Sequence, residues 1–138
     1  MEYTTEMWKT NRFKPTLQSD WLARCIRACL DFQQTCIACA DACFHETELD
    51  PLRRCMRLAL DCADICDATA RIMSRIGDYD ARLTRTLLDL CVKACETCAV
   101  ECAKHSKSLE HCRICGEACR ACAWACKQVA EKVPVAVA

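Results

Sequence analysis

The cysteines of this chain recur in one repeated pattern, Cys-x-x-Cys-Ala-x-x-Cys. The pattern occurs three times, beginning at Cys36, Cys95 and Cys119. A spacing of three and then four residues keeps side chains on one face of an α-helix. The pattern therefore predicts helices that each carry a line of thiols along one side.

The same spacing extends outward from the three copies and takes in nearly every other cysteine of the seventeen. In a helical bundle such a line occupies the inward positions, which leucine and isoleucine usually fill. We therefore predict that the thiols line a bundle core, and we take all of them as candidate metal ligands. These candidates are Cys25, Cys29, Cys36, Cys39, Cys43, Cys55, Cys62, Cys66, Cys91, Cys95, Cys98, Cys102, Cys112, Cys115, Cys119, Cys122 and Cys126.

The fold class follows from this spacing and from the scarcity of turn-forming residues. Two glycines and three prolines in 138 residues are too few for a loop-rich or all-β fold. We predict an all-α protein, an antiparallel up-down-up-down four-helix bundle with a cysteine-lined core. The bundle is expected at residues 19–133, with helices at about 20–46, 51–76, 80–104 and 109–132, between an N-terminal tail (1–18) and a C-terminal tail (134–138).

The N-terminal tail is predicted to be irregular. Pro15 should interrupt any helix there, and we expect either disorder or a segment laid across the outside of the bundle by Trp8 and Phe13. At the other boundaries, Asp50 and Pro51 favour the start of the second helix, and Gly77 favours its end.

Charge and hydropathy narrow the classes of partner. Nineteen basic and nineteen acidic residues cancel, which argues against nucleic acid or another polyanion as a partner. No apolar run approaches the roughly 20 residues of a membrane-spanning helix. The first fourteen residues contain neither an apolar signal core nor a twin arginine, which predicts a cytoplasmic protein.

Seventeen cysteines would otherwise suggest a disulfide scaffold. The count is odd, however, and Cβ atoms three or four residues apart on a helix lie roughly 5–6 Å apart, beyond the ~3.8 Å of a disulfide. Cross-helix disulfides remain an alternative. As packing alone, so many thiols would make a core of far smaller volume than leucine does. Binding of a soft metal explains the pattern better.

Thiolates select Cu(I), zinc or iron–sulfur clusters. Cu(I) accepts two or three sulfurs, and about one Cu(I) per thiolate would cancel the charge of a buried array. Zinc prefers four tetrahedral ligands, whereas the second helix offers only three thiols. Cluster motifs of ferredoxins end in Cys-Pro, which this chain lacks. Multiple Cu(I) ions are favoured, with a zinc or general soft-metal sink and an iron–sulfur electron carrier as alternatives.

Cu(I) needs only pairs of cysteines along one helix. The predicted pairs are Cys25/Cys29, Cys39/Cys43, Cys62/Cys66, Cys91/Cys95, Cys98/Cys102, Cys115/Cys119 and Cys122/Cys126. No nucleophile, base and orienting residue can be assembled into a catalytic set, so we expect no enzymatic activity.

Three histidines complete the candidate site. His45, His105 and His111 fall near helix ends that an up-down-up-down bundle brings to the same end. We predict that they are further metal ligands at an open mouth. The opposite end is expected to be an apolar plug of Leu22, Met73, Ile76, Thr84, Leu88 and Val129.

Over about residues 20–132 the chain resembles the bacterial cysteine-rich copper storage proteins. The resemblance rests on Cys-x-x-x-Cys and Cys-x-x-Cys-Ala-x-x-Cys segments on successive helices. It implies a four-helix bundle that stores Cu(I), assembles into homotetramers and has histidines near its open end. It also suggests copper exchange with a chaperone or chelator, and the missing export signal favours the cytosolic type. The three thiols on the second helix are fewer than an evenly filled core would need.

Overall fold

The structure is a computed structural model that describes residues 1–14 and 17–134. The described residues form helices and no strand. The helices are α1 (Glu2–Lys9), α2 (Ser19–Phe44), α3 (Arg53–Met73), α4 (Ala81–Ala103) and α5 (Glu110–Ala130), and a short 3-10 turn, Asp50–Leu52, leads into α3.

The four long helices close into a ring around one core. Helix α2 packs on α3, α3 on α4, α4 on α5, and α5 back on α2. Short connections join them, so successive helices run in opposite directions. The predicted all-α class and antiparallel four-helix bundle are confirmed. Among the described helices, none combines the length and the apolar character that crossing a membrane requires.

The helix ends differ from the predicted ones by a few residues. The first long helix ends at Phe44 and not at residue 46, because the backbone changes there from α-helical hydrogen bonds to bonds that span three residues. The His45 N–H donates to the Ala42 carbonyl, and the Glu46 N–H donates to that of Cys43. Bonds of this i to i+3 type belong to a 3-10 turn.

The region around Gly77 also departs from the prediction. The second long helix ends already at Met73, and the left-handed residue of this turn is Asp78, with φ at 50°. Aspartate tolerates this conformation better than most residues with a side chain. Asp80 then caps α4, where its carboxylate accepts a 2.8 Å hydrogen bond from the Leu83 N–H.

The prediction of an irregular N-terminal tail is wrong for its first part, since Glu2–Lys9 is helix α1. Trp8 holds this helix on the bundle, with its indole buried and its Nε1–H donating to the Ser74 carbonyl at 2.9 Å. An anchored tryptophan makes a short helix stable where propensity alone would not. Phe13 remains exposed. Pro15 lies outside the described residues, as do residues 135–138 of the predicted C-terminal tail.

One end of the bundle is closed by apolar side chains. The six residues predicted to form a plug are all buried there: Leu22, Met73, Ile76, Thr84, Leu88 and Val129. Trp8 and Leu17 from the N-terminal segment belong to the same core cluster. We call this region the closed end. The other end, where α2 and α4 finish and α3 and α5 begin, is the histidine end.

Candidate metal centre

All seventeen cysteines carry free thiols, and all are buried. The most accessible, Cys39, is 3% exposed. This placement follows from the three-and-four spacing, which puts every thiol on the face that its helix turns toward the others. The core is therefore lined by sulfur from the histidine end to the apolar plug.

Thiols of different helices contact one another across the core. The Sγ–Sγ distance is 3.5 Å for Cys25 and Cys126, and 3.8 Å for Cys66 and Cys91. A disulfide bond measures about 2.05 Å, so these are non-bonded contacts between reduced thiols. The structure therefore differs from the cross-helix disulfides that the sequence left open, and the sulfurs are free to bind metal.

Eight thiols near the histidine end form two compact groups, which we call the outer set. Within each group every sulfur lies within 4.8 Å of the others. The first group draws on α2, α3 and α5, and the second joins α4 to α5. Their members are Cys39, Cys43, Cys55 and Cys112, and Cys98, Cys102, Cys115 and Cys119.

Eight thiols nearer the closed end form three overlapping groups, which we call the inner set. One group takes a single sulfur from each of the four long helices. The other two groups are joined to it, because each shares with it either Cys29 or Cys66. The groups are Cys29, Cys66, Cys91 and Cys122; Cys25, Cys29 and Cys126; and Cys62, Cys66 and Cys95.

The groups modify the simple picture of pairs along one helix. Five predicted pairs each lie within one group, and Cys98/Cys102 faces Cys115/Cys119 to make a four-sulfur site between two helices. The other two pairs, Cys91/Cys95 and Cys122/Cys126, divide between groups. Spacing along a helix showed which residues point inward, whereas contacts between helices decide which sulfurs share a site.

The three histidines differ in their relation to the thiols. His111 touches the outer set, with its Nε2 3.4 Å from the sulfur of Cys43. His105 lies at a cleft of about 230 Å³ between the two loops of this end, and its Nε2 is 3.1 Å from Glu101. His45 is exposed, and its Nδ1 is 2.9 Å from the Asp41 carbonyl. The structure thus joins one histidine directly to the thiols, and the role of all three as ligands stays a prediction.

Comparison with known proteins identifies the family. Residues 18–131 match the sequence profile of the family described as copper storage protein. The chain belongs to this family.

Three solved structures show how similar its members are. Ccsp from Streptomyces lividans, loaded with 10 copper equivalents, is 42% identical, with a TM-score of 0.89 over 93% of this chain and 98% of that one. A cytosolic copper storage protein from the same organism, with five coppers, is 47% identical, with a TM-score of 0.80 over 81% and 93%. The Cu(I)-bound copper storage protein BsCsp3 is 34% identical, with a TM-score of 0.71 over 80% and 98%.

Sequence reasoning missed one residue at the histidine end of this copper storage protein. Glu101 is 5% exposed, and its carboxylate lies 3.2 Å from the Lys104 ammonium, 3.5 Å from Arg54 Nε and 3.1 Å from His105 Nε2. Although burial alone would raise it, hydrogen bonds from His105 and Lys104 hold the pKa of Glu101 below its ordinary value. An ionised carboxylate only accepts hydrogen bonds, so Nε2 of His105 carries a proton. The sequence did offer one signal for Glu101: it lies four residues before His105, a spacing that brings two side chains together on a helix.

The thiols next to the histidines are protonated at neutral pH. Burial raises the pKa of Cys43 above its ordinary value, despite hydrogen bonds from neighbouring thiols that lower it. Burial, and then the neighbouring Cys43, raises the pKa of Cys112 to about 12. Since thiolates and not thiols bind metals, an ion that binds here must displace protons.

Proposed function

We propose that this protein stores and buffers Cu(I) in the cytoplasm by binding many ions to the cysteine thiolates of its core. The unit that carries the function is the bundle of residues 19–133. The observation that carries the proposal is the five groups of mutually close, buried thiols. Copper-loaded relatives with the same fold support it.

The chemistry of the core suits a soft monovalent ion. Each Cu(I) would bind two or three sulfurs of one group and displace a proton from each thiol that it binds. About one Cu(I) per thiolate leaves the buried array without net charge, which avoids the large free-energy cost of isolated buried charges. The seventeen cysteines are the proposed ligands, and His45, His105 and His111 are proposed as auxiliary ligands at the histidine end.

Storage in this form protects the cell because bound Cu(I) is withheld from redox reactions and from the wrong metal sites. The relative from Streptomyces lividans is described as cytosolic, which supports the cytoplasmic assignment. We propose that copper is exchanged with a chaperone or a small chelator at the histidine end. The thiols serve as a reservoir and not as a catalytic centre, so no enzymatic activity is proposed.

An anaerobic titration tests the proposal. Reduced protein is titrated with Cu(I) against a competing chelator of known affinity, and the bound metal is counted per chain. We expect saturation near about one ion per cysteine, the ratio that neutralises the thiolates. A plateau at one or two ions would reject storage, whatever the affinity of those ions.

One observation favours a zinc sink as the second candidate. In the group with one thiol from each helix, the Sγ–Sγ distances are 3.8 Å for Cys66 and Cys91 and 3.8 Å for Cys29 and Cys122. A tetrahedral zinc site with Zn–S bonds of about 2.3 Å has sulfurs roughly 3.8 Å apart. Zinc would neutralise the thiolates at about half the number of ions that Cu(I) needs. Parallel titrations with the two metals, followed by their direct competition, distinguish the two functions.

We also propose that the protein is a homotetramer. A line of apolar side chains on the outer face of α2, formed by Leu30, Ile37 and Phe44, is 42–63% exposed. Such a stripe on the outside of a bundle is typical of a surface that packs on another copy. Sedimentation of the reduced protein should give the mass of four chains, and Ile37→Glu should shift it to smaller species. A monomeric wild-type protein would contradict this proposal and leave copper storage untouched.

A further inference from the structure

The groups of thiols leave out a single residue. Among the seventeen cysteines, all of which lie in the described part of the chain, Cys36 belongs to none of the five groups. The outer set holds eight of the others and the inner set holds eight. Cys36 is fully buried near the middle of α2, so it is neither a surface thiol nor part of the apolar plug.

The neighbours of Cys36 come from both sets. On α2, Cys36 lies between Cys29 of the inner set and Cys39 of the outer set. From the other helices, the thiols of Cys115 and Cys98 in the outer set and of Cys62 in the inner set lie near it. The two outer groups share no member with the inner groups, whereas the inner groups are joined to one another through Cys29 and Cys66. Cys36 therefore stands where the two sets meet.

The position of Cys36 between the two sets matters because the apolar plug blocks the closed end of the core. Beyond the inner set, the core is filled by Leu22, Leu88 and Val129, each at most 1% exposed. Trp8 covers this end and is bonded to Ser74. An ion that reaches the inner set from the histidine end must first pass the outer set.

Building on the proposed function, we infer that Cys36 is a relay thiol that passes Cu(I) from the outer set to the inner set. An ion held by Cys98 or Cys115 forms a new Cu–S bond to Cys36 as one of its outer Cu–S bonds breaks. The proton of the Cys36 thiol moves to the sulfur that is released, and the copper remains Cu(I) throughout. In a second exchange Cys62 binds the ion as its remaining outer Cu–S bond breaks, and the Cys62 proton moves to that outer sulfur. In a third exchange Cys66, which shares a group with Cys62, replaces Cys36, and the Cys66 proton returns to Cys36.

The relay predicts how the two sets fill with time. Reduced protein is mixed anaerobically with about sixteen equivalents of Cu(I), enough for both sets at about one ion per thiolate, and quenched at increasing times. Unprotected thiols are then alkylated in denaturant and located by peptide mass spectrometry. In the wild-type protein the outer set should become protected first, and inner thiols should follow. Protection of the inner set before the outer set would overturn the relay, because copper would then arrive from the closed end.

Cys36→Ser tests the residue itself, and Ala59→Ser is the matched control, since it introduces a hydroxyl at an equally buried core position of α3 without removing a thiol. Cys36→Ser should lose about one ion of capacity, the share of one thiolate in neutralising the core, and Ala59→Ser should lose none. Only Cys36→Ser should slow the filling of the inner set, by about tenfold, which corresponds to a barrier higher by about 1.4 kcal/mol. Filling of the outer set should stay unchanged in both variants.

Two outcomes separate this inference from the function on which it rests. If Cys36→Ser fills its inner set at the wild-type rate while total capacity is high, copper storage stands and the relay is wrong. If the wild-type protein binds only one or two ions, the storage function itself fails. Cys36→Ala, which removes the thiol without introducing a hydroxyl, provides the same comparison if the serine variant folds poorly, and circular dichroism of both variants verifies the fold.

Discussion

The two ends of the bundle are built from different kinds of residue. At the closed end, large apolar side chains such as Leu22 and Leu88 are fully buried, and Trp8 fastens an additional helix across them. At the histidine end, the buried Glu101 is surrounded by three basic side chains, and His111 touches a thiol. The two ends therefore differ in chemistry: one is held by apolar packing, and the other is the end at which we propose that metal is exchanged.

This difference solves a problem that a sulfur core creates. A cysteine side chain buries much less apolar surface than a leucine side chain, so a core made of thiols contributes less to the stability of the fold. Apolar packing at the closed end compensates for this. The thiols between the two ends then need not pack as well as leucine would.

Bound metal is expected to have the largest effect on the stability of the bundle. Binding to the native state alone stabilises a protein by about 2.7 kcal/mol per site at one hundred times the Kd, so a few occupied sites exceed any single substitution. Anaerobic urea unfolding of the reduced protein should show a much higher midpoint with Cu(I) than without it. Removing the copper with a strong chelator should restore the lower midpoint. Equal midpoints would mean that the metal binds the unfolded thiols just as well.

The next largest effect on stability is expected from substitutions in the apolar plug, which should cost more than substitutions in the sulfur core. Leu88→Ala should lower the free energy of unfolding of the metal-free protein by about 3 kcal/mol, because it leaves a cavity at a fully buried site. Cys91→Ala, on the same helix and equally buried, removes only one heavy atom and should cost about 1 kcal/mol. Urea unfolding with reductant measures both values. Equal losses would show that the closed end is not the main support of the fold.

The bundle itself could be predicted from the sequence, since one periodicity fixed both the helices and their inward faces. Helix α1 could not be predicted in this way. Of its eight residues only Trp8 is buried, and Trp8 holds the helix on the bundle through a bond to Ser74, which is far away in the chain. Contacts between residues far apart in the chain leave no periodic signal.

The candidate site shows the same limit. Which cysteines face inward followed from their spacing, but their division into groups depends on which sulfurs of neighbouring helices meet. Cys122 and Cys126 look like one pair in the sequence, yet they join different groups in the structure. Glu101 was missed for a related reason, since one of its charged partners, Arg54, comes from another helix.

A smaller effect concerns the histidine end during loading. His111→Ala removes the ring that contacts Cys43 and should slow Cu(I) uptake by about tenfold, as expected if the barrier rises by about 1.4 kcal/mol. The final number of bound ions should change little, because the thiols supply most of the ligands. Stopped-flow uptake and equilibrium titration measure the two quantities. Of the three histidines proposed as ligands, His45 should matter least, because its exposed ring bonds to Asp41, so His45→Ala should slow uptake less than His111→Ala does. The double variant His105→Ala/His111→Ala should take up Cu(I) no faster than His111→Ala.

The smallest effect is a pH dependence at Glu101. Its pKa is lower in the folded protein than the ordinary value of 4.5, so the carboxylate stabilises the fold at pH values above that range. This contribution is lost as the pH falls through the lowered pKa, because the protonated acid no longer attracts Arg54, Lys104 and His105. The side chains of Arg54 and Lys104 are both largely exposed. At neutral pH the ionised Glu101 should therefore add only about 1 kcal/mol to the free energy of unfolding.

Glu101→Gln isolates this contribution. At neutral pH the variant should unfold at a lower urea concentration than the wild-type protein, and the two curves should converge as the pH is lowered through the pKa of Glu101. The control is Glu110→Gln, because Glu110 pairs with Arg113 at the surface and its loss should leave the midpoint nearly unchanged. A difference between wild type and Glu101→Gln that persists at low pH would mean that the amide disturbs packing. Convergence would show that the histidine end is held together by charge, in contrast to the apolar closed end.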